Sequence, residues 1–318
     1  MTDTSPLRIV FFGTPDFAVP TLEALLASRH SVVAAVTQPD RPRGRGQKTS
    51  FAPVKACAVA ASVPVFQPAT LKDGSLATDL AGFEPDLGVV AAYGKILTDA
   101  VLSAPRLGML NVHASLLPRY RGAAPVHRAV MAGERETGIT IMRVVKALDA
   151  GPMLATAHRS IGPDETSDEI EHDLARIGAG LAITTIERLL AGGLTEAAQV
   201  ESDATYARRL TKDEGRVDWA ASAGQIHNLI RGLHPWPHAF TFLDRQRMIL
   251  LRSTPSAEDS NALPGTILEA AGDRLRIAAG SGVVHVVELQ AEGKRPMSVR
   301  EFLAGHPIPT GAVFYAQA

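Results

Sequence analysis

The chain reads as α/β: a doubly wound domain followed by a smaller all-β domain. Three observations carry this. Over about the first 130 residues, apolar strand-like runs alternate with helix-like stretches. A long helical pattern then gives way to a stretch without periodicity. Beyond that stretch, short strand patterns recur at close spacing between turn signals. At 318 residues, the length fits roughly two domains of about 150 residues each.

The elements follow in order. Leu7–Gly13 is a continuous apolar run ending in glycine, the pattern of a strand buried on both faces of a parallel sheet. Asp16 is placed to cap a helix whose apolar side holds Phe17, Leu22, Leu25 and Leu26. Ser31–Val36 is a second strand, and Val54–Ala61 is Ala-rich and helical. Val63–Phe66 is a short strand and Ser75–Ala81 a helix. Asp86–Ala92 and Gly108–His113 are further buried strands, and Gly138–Val145 with Met153–Ile161 resemble a strand pair. In Thr166–Leu190, Ile170, Leu174, Ile177 and Leu181 keep helical spacing, with Thr166 or Ser167 as the cap. Ala191-Gly192-Gly193 ends that helix.

Leu194–Tyr206 reads as a linker. The expected division is therefore a domain over 1–192, a linker over 193–206 and a second domain over 207–318. Ala223–Leu233 is an amphipathic helix. Ala239–Leu243, Met248–Leu251, Gly265–Leu268, Leu275–Ala278 and Val283–Leu289 are the strands of a small barrel or sandwich.

Composition excludes several classes. Hydrophobic residues make up 46% and charged residues 20%, enough apolar surface to offset chain entropy. The formal net charge of -1 rules out a polycation held to nucleic acid by bulk charge. The charge is uneven, however: residues after Tyr206 carry 13 Lys/Arg against 11 Asp/Glu, and the first 206 carry 19 against 22. Cys57 is the single cysteine, so an intramolecular disulfide and a multi-cysteine zinc site are excluded. No apolar run reaches the roughly 18 residues of a membrane span. The start MTDTSPLRIVFFG lacks a basic n-region, so a cytoplasmic location is expected.

The strongest chemical signal is Asn111-Val112-His113 at the end of a buried strand. Ligands of open α/β sheets bind beyond the carboxyl ends of the strands. The two-residue side-chain period puts Asn111 and His113 on one face. An amide there can donate to a developing oxyanion, and an imidazole can move a proton near neutral pH. Asp149, before Gly151-Pro152 on a tight turn, can orient the histidine and favour its charged form. Each residue alone also has a plainer reading: a strand-end cap, a core histidine, a turn residue. No G-x-S-x-G nucleophile motif occurs, so direct transfer between bound substrates fits better than a covalent intermediate.

Other motifs are weaker. Gly13-Thr14-Pro15-Asp16 is not G-x-G-x-x-G, which disfavours a dinucleotide. The loop Asp40–Lys48 carries Arg41, Arg43, Arg45 and Lys48 against Asp40, with Gly44 and Gly46 between them. It suits phosphates, or is simply a solvated loop. In His234-Pro235-Trp236-Pro237-His238 the histidines have no further ligand cluster nearby, and Trp236 is expected to pack on the second domain.

Taken in order, these residues resemble a known family over essentially the whole chain. They are Gly13–Phe17, Thr37–Pro42 with Gly44-Arg45-Gly46, Ala92-Tyr93-Gly94, Asn111–His113, Ser115–Pro125, Leu148–Gly151, Asp218-Trp219 and Pro235-Trp236-Pro237. The chain resembles the bacterial methionyl-tRNA formyltransferases. The H-x-S-L-L-P motif alone marks only the wider 10-formyltetrahydrofolate-dependent formyltransferases; the basic loop and second domain point to the tRNA enzymes.

The resemblance implies a Rossmann-like formyltransferase domain and an OB-like tRNA-binding barrel. It implies transfer of formyl from 10-formyltetrahydrofolate, the formyl-donor co-substrate, to the methionine α-amine of initiator methionyl-tRNA. Asn111, His113 and Asp149 become the catalytic set, and Ser115, Leu116, Leu117 and Pro118 a folate-binding segment. Arg41, Arg43, Arg45 and Lys48 become tRNA contacts. No metal and no membrane are implied, and a monomer is expected. The acceptor alternatives are a small amine, such as a ribonucleotide or amino sugar nucleotide, or no catalysis at all in a plain RNA-binding protein.

Overall fold

The computed structural model describes residues 5–40, 42–43, 48–49 and 51–316. They form two compact units that interleave along the chain. The first takes Met1–Pro125, Thr137–Arg159 and Glu171–Ala207; the second takes Val126–Glu136, Ser160–Ile170 and Arg208–Ala318.

The first unit is built on a seven-stranded sheet. Its strands are β1 (Arg8–Gly13), β2 (Ser31–Val36), β3 (Val65–Phe66), β4 (Leu87–Ala91), β5 (Met109–His113), β6 (Glu136–Arg143) and β7 (Met153–Ser160). Their order is β7-β6-β5-β4-β1-β2-β3. The strands β3, β2, β1, β4 and β5 run parallel, and β6 turns the sheet antiparallel where it meets β5. Strand order reverses between β1 and β4, the switch point at which such sheets open a crevice. Ile9, Val10, Phe11 and Phe12 have no solvent exposure, as a strand covered on both faces requires.

Its helices are α1 (Val19–Leu26), α2 (Pro53–Ala60), α3 (Ser75–Ala81) and α4 (Asp99–Leu102); α5 (Pro125–Met131) falls from Val126 on in the second unit, and α6 (Ser167–Leu190) from Glu171 on in the first. Asp16 does not cap α1. It opens the 3-10 turn Asp16–Ala18, whose N-cap is Pro15 and which has no side-chain cap. Thr166 does cap α6: its Oγ1 accepts from Glu169 N–H at 3.4 Å, and the Glu169 carboxylate accepts from Thr166 N–H at 2.7 Å.

The face α6 buries differs from the expected stripe of large residues. Beyond Leu174, the buried positions are mostly small: Ala175, Gly178, Ala179 and Ala182, with Thr185 and Ile186. A Cβ on Gly178 would lie 2.7 Å from Val112 Cγ1. Small residues thus let the helix approach β5 closely, and they back the strand that carries Asn111 and His113.

The second unit holds an antiparallel sheet of β8 (Ala239–Leu243), β9 (Gln246–Ser256), β10 (Ile267–Ala271), β11 (Arg274–Ala278) and β12 (Val283–Ala291). The order is β8-β9-β12-β11-β10, with the short strand Met297–Ser298 on β12. The chain near its end touches both edge strands, because Tyr315 bridges Phe242 of β8 and Val313 bridges Thr266 beside β10. Both edges are thereby paired.

Two helices, α7 (Ala223–Gly232) and α8 (Val299–Gly305), start at capping boxes made by Ser222 with Gln225 and Ser298 with Glu301. The core includes Val217, Trp219, Ile226, Ile230, Leu250, Val286, Phe302 and Phe314. Trp219 stacks on Phe314 and donates its indole N–H to Thr241 Oγ1 at 3.0 Å. Trp236, by contrast, is 48% exposed and does not pack into this core.

Candidate active site

The carboxyl ends of the parallel strands converge. After β1, Thr14 Oγ1 donates to the Tyr93 carbonyl at 3.3 Å; after β2, Gln38 Nε2 donates to the same carbonyl at 2.9 Å. Tyr93 follows β4, between Ala92 at φ 45° and Gly94 at φ 80°. Its φ of 80° puts Gly94 in the left-handed region that favours glycine, and a Cβ there would also come within 2.6 Å of Gln38 Nε2. The Tyr93 ring is buried against Phe12, and burial pushes its phenol up to about 12.

One strand further along, β5 brings Asn111 opposite Met142 and His113 opposite Thr140 of β6. Among the described residues no hydrogen bond engages the Asn111 side chain, which leaves its amide available to a ligand. His113 is buried, and its Nε2 lies 3.0 Å from the Tyr120 carbonyl. A carbonyl only accepts, so Nε2 carries a proton. Nδ1 then faces Asp149, 3.7 Å from Oδ2. That separation exceeds a hydrogen bond but suits attraction once the ring is charged.

Asp149 is held independently of the histidine. Its Oδ2 accepts the Gly122 N–H at 2.8 Å, and its backbone sits at φ 46°, in the left-handed region that aspartate tolerates better than most side chains. A Cβ on Gly151 would overlap the Arg143 carbonyl oxygen, so the turn closes only with glycine there. His113 and Asp149 therefore come together, with Asn111 two residues away on the same strand.

The segment 115–118 is tightly held. Ser115 Oγ donates to the Arg119 carbonyl at 2.7 Å, so its hydroxyl is engaged within the turn. Thr140 Oγ1 donates to the Ser115 carbonyl at 2.7 Å and accepts from Leu117 N–H at 3.1 Å. Leu117 is buried, and the Leu117–Pro118 peptide is cis.

The basic loop is only partly in view. Arg41 and Arg45 lie outside the described residues. Arg43 and Lys48 contribute backbone to the paired two-residue strands Pro42–Arg43 and Lys48–Thr49. At the loop's base Asp40 bonds Lys55 at 2.5 Å and Gln67 at 3.0 Å; the lysine holds its carboxyl below the usual range.

Sequence reasoning missed one group of residues altogether. The supposed linker is part of the first unit and reaches into the site through Gln199, Glu201 and Thr205. No local motif marks them. Among the described residues no group of three or more His, Cys, Asp or Glu could hold a metal ion.

Comparison with known proteins adds the family. The formyl transferase model matches residues 7–186, and the formyl transferase C-terminal domain model matches residues 209–307. Fold and site thus define a two-part formyltransferase chain. A methionyl-tRNA formyltransferase of Methylococcus capsulatus is 47% identical over 95% of this chain and 98% of its own. One from Alkaliphilus oremlandii is 44% identical over 96% and 99%. The chain belongs to the methionyl-tRNA formyltransferase family. An N-formyltransferase of Helicobacter canadensis, solved with folinic acid and dTDP-3-aminofucose, shares the fold at TM-score 0.67 and 17% identity, covering 88% of this chain and 99% of that one.

Proposed function

We propose that this chain transfers the formyl group of 10-formyltetrahydrofolate to the α-amine of methionine on initiator methionyl-tRNA. The observation that carries the chemistry is the juxtaposition of a free Asn111 amide, a His113 ring with Nδ1 unspent, and a backbone-held Asp149 at the strand ends. Family membership carries the choice of acceptor.

The residues divide the work as follows. The neutral fraction of the amine, whose free pKa is about 7.7–8.0, attacks the formyl carbon. Asn111 donates its amide hydrogens to the oxygen as the carbonyl becomes tetrahedral; a donor of this kind typically contributes about 100- to 1000-fold. Because His113 Nε2 is committed to Tyr120, Nδ1 is the ring atom that takes and returns a proton. Asp149 stabilises the charged ring from 3.7 Å. It also steers the amine's proton towards the departing folate nitrogen. Ser115–Pro118, fixed by Thr140, line the folate side.

The second unit and the basic loop hold the tRNA. We read the antiparallel sheet as an OB-like barrel, and the functional division as catalytic 1–192, a linker 193–206 that braces the catalytic side, and tRNA-binding 207–318. Arg209, Lys212, Arg216 and Arg245 are exposed, and no ion pair among the described residues engages them. Such charges suit a phosphate backbone. Arg41, Arg43, Arg45 and Lys48 supply further positive charge. The enzyme acts as a cytoplasmic monomer on this reading.

Single-turnover formyl transfer tests it, with initiator methionyl-tRNA, elongator methionyl-tRNA and free methionine as parallel acceptors. Product on the initiator alone is expected. Folate binding without product on any of the three would redirect the search to small amine acceptors.

A further inference from the structure

The polar cluster behind Asp149, centred on the buried Arg121, has no part in the chemistry described so far, yet it grips the loop that presents the carboxylate. Gln199 Nε2 lies 2.8 Å from the Asp149 carbonyl and 2.8 Å from the Gly151 carbonyl. An amide NH2 has two hydrogens, and both are spent on this one turn. The other end of the amide is fixed as well: Oε1 accepts from Arg121 Nε at 3.0 Å. Arg121 is 2% exposed and grips Glu201 with both terminal nitrogens at 3.0 and 2.9 Å, which pushes its pKa up. A guanidinium buried this far is stable only when paired and oriented.

The same short segment holds the carboxylate and the histidine. Gly122, next to Arg121, donates to Asp149 Oδ2 at 2.8 Å, and Tyr120, on its other side, accepts from His113 at 3.0 Å. Residues 205–207 fix that segment in turn. Thr205 accepts the Arg121 N–H at 2.8 Å through its carbonyl and the Tyr120 N–H at 2.9 Å through its hydroxyl. The Ala207 carbonyl accepts from Ala123 at 2.9 Å. A left-handed aspartate held at both its backbone and its carboxylate has little freedom to drift.

We propose that Gln199, oriented by the Arg121–Glu201 pair, is a positioning residue that sets the Asp149 carboxylate against His113. The assignment rests on the reading of Asp149 as catalytic. Both ends of the Gln199 amide are spent within the protein, so its loss lowers the chemical rate and leaves affinities alone. Misplacing a reacting group by about 1 Å can cost on the order of 100-fold.

The test compares wild type, Gln199→Met, Asp149→Asn and the double variant in single-turnover formyl transfer at saturating 10-formyltetrahydrofolate and initiator methionyl-tRNA. Methionine keeps the length of glutamine and removes both donors. Expected for Q199M is a roughly 10- to 100-fold slower step, with KM for the tRNA and Kd for tetrahydrofolate within about twofold of wild type. The double variant should be no slower than D149N alone. A wild-type rate for Q199M beside a slow D149N overturns the role of Gln199. A wild-type rate for D149N overturns the reading of Asp149 itself, whatever Q199M does. Should Q199M fail to fold, Glu201→Ala at an exposed side chain serves instead: a loss confined to the rate supports the assignment, and an unchanged rate overturns it.

Discussion

The strand ends of the first unit and the outer surface of the second handle charge in opposite ways. At the strand ends of the first, His113 is buried, Asp149 is held by a backbone N–H, and both are fixed through Tyr120–Gly122. On the second, arginines lie in exposed ion pairs such as Arg274–Glu269, Arg295–Glu301 and Arg300–Asp273, or, like Arg216, have no ion pair among the described residues. Buried, singly determined contacts fix geometry, as bond making requires. Exposed charges on long side chains supply attraction without fixed geometry, as a hydrated polyanion requires. Mutations in the first class should therefore change rate, and those in the second should change affinity and its salt dependence.

Asp149→Asn and His113→Ala carry the largest expected effects, about 1000-fold or more on single-turnover rate with folate binding retained. Asparagine also tolerates the left-handed backbone at 149, so the loss reports chemistry rather than folding. Asn111→Ala should follow at about 100- to 1000-fold. Turnover near wild type in any of these removes that residue from the mechanism.

Arg45→Ala should leave the rate at saturating tRNA within about twofold and reduce the salt slope of tRNA affinity by about one. Equal effects on folate and tRNA would break the contrast between residues of the chemistry and residues of acceptor binding.

Gly178→Ala tests the packing behind β5. Its Cβ would press on Val112 Cγ1 at 2.7 Å, so a stability loss of about 1–3 kcal/mol is expected in denaturant melts.

The smallest effect concerns acid stability. The Arg252 guanidinium holds Glu169 down at about 2. A depressed carboxylate contributes stability above its unfolded pKa of about 4.3 and loses it as pH falls towards 2. Because both side chains are partly exposed, the contribution is about 0.2–1 kcal/mol. Glu169→Gln should flatten the stability profile between pH 4.5 and about 2; an unchanged slope would discount the pair.

How much of this was legible in the sequence depended on how far apart the cooperating residues lie. Asn111 and His113 announce themselves through two-residue spacing at the end of an apolar run. Asp149 does so through the Gly-Pro turn beside it. Gln199 pairs with Arg121 across 78 positions, and nothing near it in sequence marks it, so its segment reads as a linker. The buried face of α6 was misread for a different reason. Apolar periodicity selects large residues, while close approach to β5 selects Gly178. Trp236 shows the converse, since aromatic size predicts burial that the structure does not give it.

The separation of chemistry from acceptor binding is tested most directly by salt. Single-turnover rate at saturating tRNA and KM for initiator methionyl-tRNA would be measured together from about 50 to 200 mM salt. KM is expected to climb by orders of magnitude while the saturated rate stays within about twofold. A rate that falls with salt at a constant KM would contradict that separation, because the exposed charges would then be acting on the chemical step.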